Sequence, residues 1–145
     1  MVNFYTGFIN PTETKVNMER YKYYLEMNDK YPDDEDKVDA LMNKFKVAHP
    51  VELNCTAHVL LDHIEHIIKV AGIDNVGLGS DYDGVSTLPK QLEDVATYPV
   101  ITQGLIDRGY SDEDIKKVLG ENVMRAFERA EQVAAEMKSG NDAQR

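Results

Sequence analysis

The chain has 145 residues, enough for one domain, and its 42% apolar content is ordinary for a folded protein. Twenty-six acids against 16 Lys and Arg leave a net charge of −10, which argues against nucleic acid as a partner because phosphate binding needs clustered basic residues. Cys55 is the only cysteine, so an intrachain disulfide is excluded, and no apolar run approaches a membrane span.

In chain order, residues 12 to 55 are rich in Tyr, Met and acids, with helical periodicity around Tyr21 to Met27 and again around Val38 to Phe45. The acidic run from Tyr31 to Asp36 reads as a turn leading into the second of these helices, with Asp33 or Asp34 at its N-terminus, where an acid suits the dipole. Tyr21, Tyr23, Tyr24 and Tyr31 form a cluster that reads as packing before it reads as a contact with substrate or a partner subunit. Cys55 lacks any pattern of base and orienting partner that would make it a nucleophile.

A helix follows from Thr56, a suitable N-cap, to Gly72 at C′, with Leu60, Leu61, Ile64, Ile67, Ile68 and Ala71 as its apolar stripe. Asp62 with His66, and Glu65 with Lys69, are the pairs its polar side offers. His63 and His66 are three residues apart with no third ligand placed by spacing, so they read as solvated helix histidines and no metal ligand is assigned. His49 and His58 carry no ligand spacing either.

The stretch Val76 to Gly84 reads as a short buried strand ending in two carboxylates and a glycine, the kind of strand end where α/β enzymes keep their chemistry. Alternation puts Gly77, Gly79 and Asp81 on one face, so Asp81 is expected over a cavity cleared by the two glycines. The competing reading is turn chemistry, with acids bonding nearby N–H groups and Gly84 supplying a positive φ. A calcium loop fails on spacing. Beyond it, Thr97 opens a helix with Pro99 in its first turn and Gly109 past its end, and Ser111 starts another as a relative of the capping box. Gly120 to Asn122 breaks into a final amphipathic helix to about Met137, after which fraying is expected.

Four blocks carry a resemblance: MVNFYTGFI at 1 to 9, DHIEHIIKVAGIDNVGLGSDYDGV at 62 to 85, LPKQLEDVATYP at 88 to 99 and GYSDEDIKKVLGENVMRAFE at 109 to 128. Together, in this order, they are similar to the membrane (renal) dipeptidase family of zinc-dependent dipeptidases. The resemblance implies a (β/α)8 barrel of the amidohydrolase type, an α/β fold of which this chain holds strands 7 (MVNFY) and 8 (VGLGSD) with their helices. It implies a two-zinc site, a dipeptide substrate and a homo-oligomeric parent. Asp81 matches the catalytic carboxylate beside the metal-bridging water, while Tyr5 and Phe8 lie in the loop to Pro11 at the barrel mouth. At Phe8 the family carries a pocket tyrosine, so the ring is kept and the hydroxyl is not.

No residue here matches the family's zinc ligands, which come from earlier strands. The chain therefore reads as the C-terminal portion of a barrel over 1–138, mostly helical by content, with a helical insertion at 12–55 and a frayed tail at 139–145. Isolated, it is expected to be inactive and to expose surface that other strands cover. A non-catalytic remnant or interaction module, and an amidohydrolase of different substrate, are the alternatives.

Overall fold

The computed structural model describes residues 1–50 and 54–142. Its nucleus is a parallel pairing of the N-terminal segment with the glycine-bearing segment at 76–80: Val2 bridges Leu78, the Val2 N–H donates to Gly77 O at 2.6 Å, and the Gly79 N–H donates to Val2 O at 2.9 Å. A second parallel bridge joins Thr56 to Lys90. Among the described residues neither pairing lengthens into a regular strand, so the two expected strands are present as paired segments only. An isolated pair of short strands has too few partners to sustain a ladder.

Residues 5 to 11 are not a loop as expected. Thr6–Ile9 form a one-turn helix, α1, and the chain turns at Asn10 into α2, Pro11–Lys30. Pro11 has no N–H to satisfy at the first helical position, and the Asn10 side chain accepts from the Thr12 N–H at 3.0 Å, so the corner is capped. The acidic run then does what its dipole argument requires. Asp34 caps α3, Glu35–Ala48, by accepting from the Lys37 N–H. Tyr23 stacks on Phe45 with ring centroids 4.3 Å apart, which makes part of the tyrosine cluster packing, while Tyr21 is left exposed. Of the insertion expected at 12–55, residues 51–53 lie outside the described residues.

The next helix, α4, spans Ala57–Ala71 between Thr56 and Gly72, whose φ of 84° suits a residue without a Cβ. Its stripe buries Leu60, Leu61 and Ile64 against Ile101 and Leu105 of α5, Tyr98–Asp107. Phe4 completes this core, its ring 5.8 Å from both Tyr82 and Tyr98. A Cβ on Gly104 would collide with Leu61, so the glycine is what lets α4 and α5 close.

The expected side-chain pairs on α4 are not the ones formed. Arg108, just past α5, donates to Asp62 at 2.6 Å and to Glu65, and this cross-helix fork replaces the expected partners His66 and Lys69, while Asp62 keeps His58, one turn earlier on α4, at 3.8 Å. Burial works against the Arg108 charge, but its bonds to these acids outweigh that and hold the guanidinium more firmly protonated.

Ser111 caps α6, Asp112–Lys116, and a π turn at Lys117–Glu121 with Gly120 outside helical geometry leads into α7, Asn122–Asp142. The buried Asn122 side chain donates to Ile73 O at 2.7 Å and Val76 O at 2.8 Å, pinning the start of α7 beneath the paired segment. Helix α7 runs past Met137 to Asp142. The rest of the tail expected to fray, residues 143–145, lies outside the described residues. Val123, Met124, Phe127 and Met137 stand exposed along α7, in keeping with the expectation of uncovered apolar surface.

Candidate functional site

The paired segments deliver two polar side chains to the same end. Val2 and Phe4 point into the core, at 3% and 0% exposure, so alternation sends Asn3 the other way. The segment at 76–80 ends at Asp81, and the Asn3 Nδ2 amide donates to Asp81 Oδ2 at 2.9 Å. The other end of the same amide is used as well, since Asn3 Oδ1 accepts from the Tyr5 N–H at 2.7 Å. Asn3 thus fixes the carboxylate and the start of the following turn together. Sequence reasoning missed it. Its signal was a lone polar residue between buried Val2 and Phe4 at a strand end.

Asp81 is exposed and lies at φ 60°, with Asp83 at φ 67°. The turn is therefore real, but it is built differently from the expectation: the two acids take the left-handed region and Gly84 does not. Asp and Asn tolerate that region better than most residues. Gly84 is required for a different reason, because a Cβ there would collide with Asp81 Oδ1. Its N–H donates to Asp81 O at 3.1 Å and closes the turn.

The cleared glycine face is approached closely by side chains from elsewhere in the chain. A Cβ on Gly79 would sit 3.0 Å from Met1 Cβ, and one on Gly77 would sit 3.1 Å from Val123 Cγ2. The glycines make room for Met1 and α7, and the hollow of about 380 Å³ that opens at this face, against Met1, Gly77, Val123 and Arg125, is not lined by Asp81. A surface hollow of about 490 Å³ opens on the other side of the turn, against Tyr82, Asp83, Leu88, Glu93 and Asp94. Tyr82 spans it, its hydroxyl donating to Asp94 O at 2.9 Å, and burial pushes that phenol above its ordinary range.

Thr6 and Thr87 lock α1 to the segment after the turn. Their hydroxyls meet at 2.6 Å, and the Thr6 N–H donates to Thr87 O at 3.3 Å. Tyr5 is half-buried and Phe8 is 69% exposed, and their rings meet edge to face at 5.0 Å, so the two aromatic candidates form one unit beside the Asn3–Asp81 pair in the chain.

The histidines stay apart from this site. Burial first, and then the neighbouring His66, hold His63 below the usual imidazole range, which is what a half-buried helix histidine does and a solvated one does not. Among the described residues no group of three or more His, Cys, Asp or Glu could hold a metal ion. Cys55 is buried, and burial together with the Glu13 carboxylate pushes its thiol up to about 11, so it is a poor nucleophile.

A sequence profile described as membrane dipeptidase (Peptidase family M19) matches residues 1–141. The chain is also similar to a protein of known crystal structure described as dipeptidase AC, a metallopeptidase of family M19, at 32% identity and a TM-score of 0.45. That match covers 49% of this chain and 21% of the solved one, so this chain corresponds to a minor share of the solved protein's length.

Proposed function

This chain belongs to the membrane dipeptidase family, and from that premise we propose that it serves a zinc-dependent dipeptidase as the part of the (β/α)8 barrel holding the seventh and eighth strands. The observation that carries the reading is the Asn3–Asp81 pair: an exposed residue at the exit of a parallel pairing whose carboxylate is held through Oδ2 by an amide. Such strand exits are where barrel enzymes put reacting groups.

In this reading Asp81 takes a proton from the attacking water and returns one to the leaving amine of a dipeptide, a role that needs a carboxylate with an accessible lone pair. Asn3 keeps the carboxylate from swinging away. Tyr5 and Phe8 supply an aromatic wall for the substrate, and without a hydroxyl Phe8 offers contact area only. Zinc supplies an activated water and polarises the scissile carbonyl when bound. No three His, Cys, Asp or Glu donors cluster to hold it among the described residues; in this reading the zinc ligands come from other strands of the barrel, and the chain contributes the proton carrier and the wall. A homo-oligomeric parent is part of the same reading.

The test is Asp81→Asn in the active dipeptidase that contains this chain. Zinc content is expected to stay near wild type while kcat on a dipeptide falls by about 10²–10⁴-fold, the range for loss of a positioned acid–base group. Loss of zinc along with activity would make Asp81 a ligand, and unchanged kcat would end the proposal.

A further inference from the structure

Among the described residues Glu13 is the one acid buried completely, at 0% exposure. A carboxylate in that position costs several kcal/mol unless donors compensate it, and its donors come from two distant places. Oε1 accepts from the Cys55 backbone N–H at 3.1 Å, 42 residues away, and from the Asn10 Nδ2 amide at 3.4 Å. Oε2 has no hydrogen-bond partner among the described residues. Glu13 is the third residue of α2, where a capping box would turn it back onto the N–H of the cap residue. Here it reaches the side chain of Asn10 and the far end of the helical excursion instead.

The corner that Glu13 grips is the one bearing α1. Asn10 is both the last neighbour of α1 and the cap of α2. The Thr14 hydroxyl, next to Glu13, lies 2.6 Å from Gly7 O and 2.9 Å from Asn10 O. Gly7 itself has no room for a Cβ between the Tyr5 ring and Asn17. Every one of these contacts leads from α2 into the turn that presents Phe8.

We propose that Glu13 is a positioning residue: its single bonded oxygen clasps the two feet of the α2–α3 excursion, at Asn10 and Cys55, and thereby fixes the α1 turn with Tyr5 and Phe8 on it. The clasp stands on the geometry alone, whereas its consequence for substrate rests on the reading of Phe8 as a substrate wall.

The lone cysteine makes the clasp measurable. In the native chain, Cys55 modification by DTNB reports opening at one foot, and chymotryptic cleavage after exposed Phe8 reports loosening at the other. Glu13→Ala is expected to speed both by about tenfold, while Glu13→Gln, which keeps the accepting oxygen, stays within about threefold of wild type. Leu105→Ala, a core truncation in α5, serves as the control for general loss of stability. Rates unchanged by Glu13→Ala, or raised no more than by a Leu105→Ala protein of equal or lower stability, would overturn the clasp. Should Glu13→Ala not fold, Asn10→Ala against Glu13→Gln gives the same contrast. In the active enzyme, KM for a dipeptide is expected to rise with kcat retained in both Glu13→Ala and Phe8→Ala. A KM that moves with Phe8→Ala only would overturn the positioning role; a KM indifferent to both, with labelling and cleavage accelerated, would retain the clasp and defeat the substrate reading.

Discussion

The α4–α5 body and the α2–α3 excursion are both pairs of packed helices, yet they are held by opposite means. Helix α4 sinks Leu60, Leu61 and Ile64 into a continuous core, and α5 answers with Ile101 and Leu105. Over 34 helical residues, α2 and α3 bury only Glu13, Met27 and Val38, with Tyr23 stacked on Phe45 between them. One region rests on area removed from water; the other rests on a few bonds and rings at its feet and middle. The difference teaches that helix length is no guide to stability here, because packing supplies most of the stability of helices in water.

The largest expected effect breaks the comparison if it fails. Ile64→Ala, at 0% exposure, is expected to cost about 2–5 kcal/mol by denaturant unfolding, as buried Ile truncations do. Val38→Ala removes two methyl groups from the one buried residue of α3 and is expected to cost about 1.5 kcal/mol. The sharper readout is hydrogen exchange. Val38→Ala should speed exchange through α2 and α3 and leave α4 amides protected, whereas Ile64→Ala should expose the whole chain. Equal responses to both substitutions would mean that the excursion and the body unfold as one unit.

That asymmetry also decides what the sequence could reveal. The stripe of α4 is legible because six apolar residues repeat with one period, and Asp34, Ser111 and Gly72 announce helix ends through chemistry local to themselves. The parallel pairing and Asp81 at its exit were legible once the two segments were recognised as neighbours. What stayed hidden depends on residues far apart in the chain. Nothing near Glu13 says that Cys55 will return to it, nothing near Asp62 and Glu65 says that Arg108 will claim both, and nothing at Gly77 and Gly79 says that Met1 and Val123 will lie against the face they clear. At Gly84 the pattern was right and the cause wrong: a turn was visible, but which residue takes the positive φ is set by where the Asp81 carboxylate lies.

A middle-sized effect sharpens the account of the excursion. Phe45 is sandwiched by Tyr23 at 4.3 Å and His49 at 4.1 Å. Phe45→Ala forfeits both stacks and is expected to cost about 0.5–1.5 kcal/mol per aromatic pair, seen as faster exchange at the α2–α3 contact with the midpoint for the body unchanged. Phe45→Leu keeps area and loses ring geometry, so the difference between the two variants separates stacking from burial.

The smallest expected effect lies where neither core nor clasp is involved. Lys117 at the end of α6 meets Asp74 at 2.9 Å on the surface. The hydrogen bond from Lys117, and then its charge, hold the Asp74 carboxyl below the ordinary range, while the bond to Asp74 holds Lys117 above its own. For a depressed acid the contribution is present above its unfolded pKa and is lost as pH falls through the folded value; for a raised lysine it is present below its unfolded pKa and is lost as pH rises through the folded one. Asp74→Asn should therefore lower Tm slightly across neutral pH, and the difference from wild type should close at both acid and alkaline extremes. Salt should shrink it as well, because an exposed pair is screened. If instead Asp74→Asn matched Val38→Ala in its effect at neutral pH, surface charge would rank with burial in holding this chain, and the contrast between a packed body and a sparsely anchored excursion would lose its physical basis.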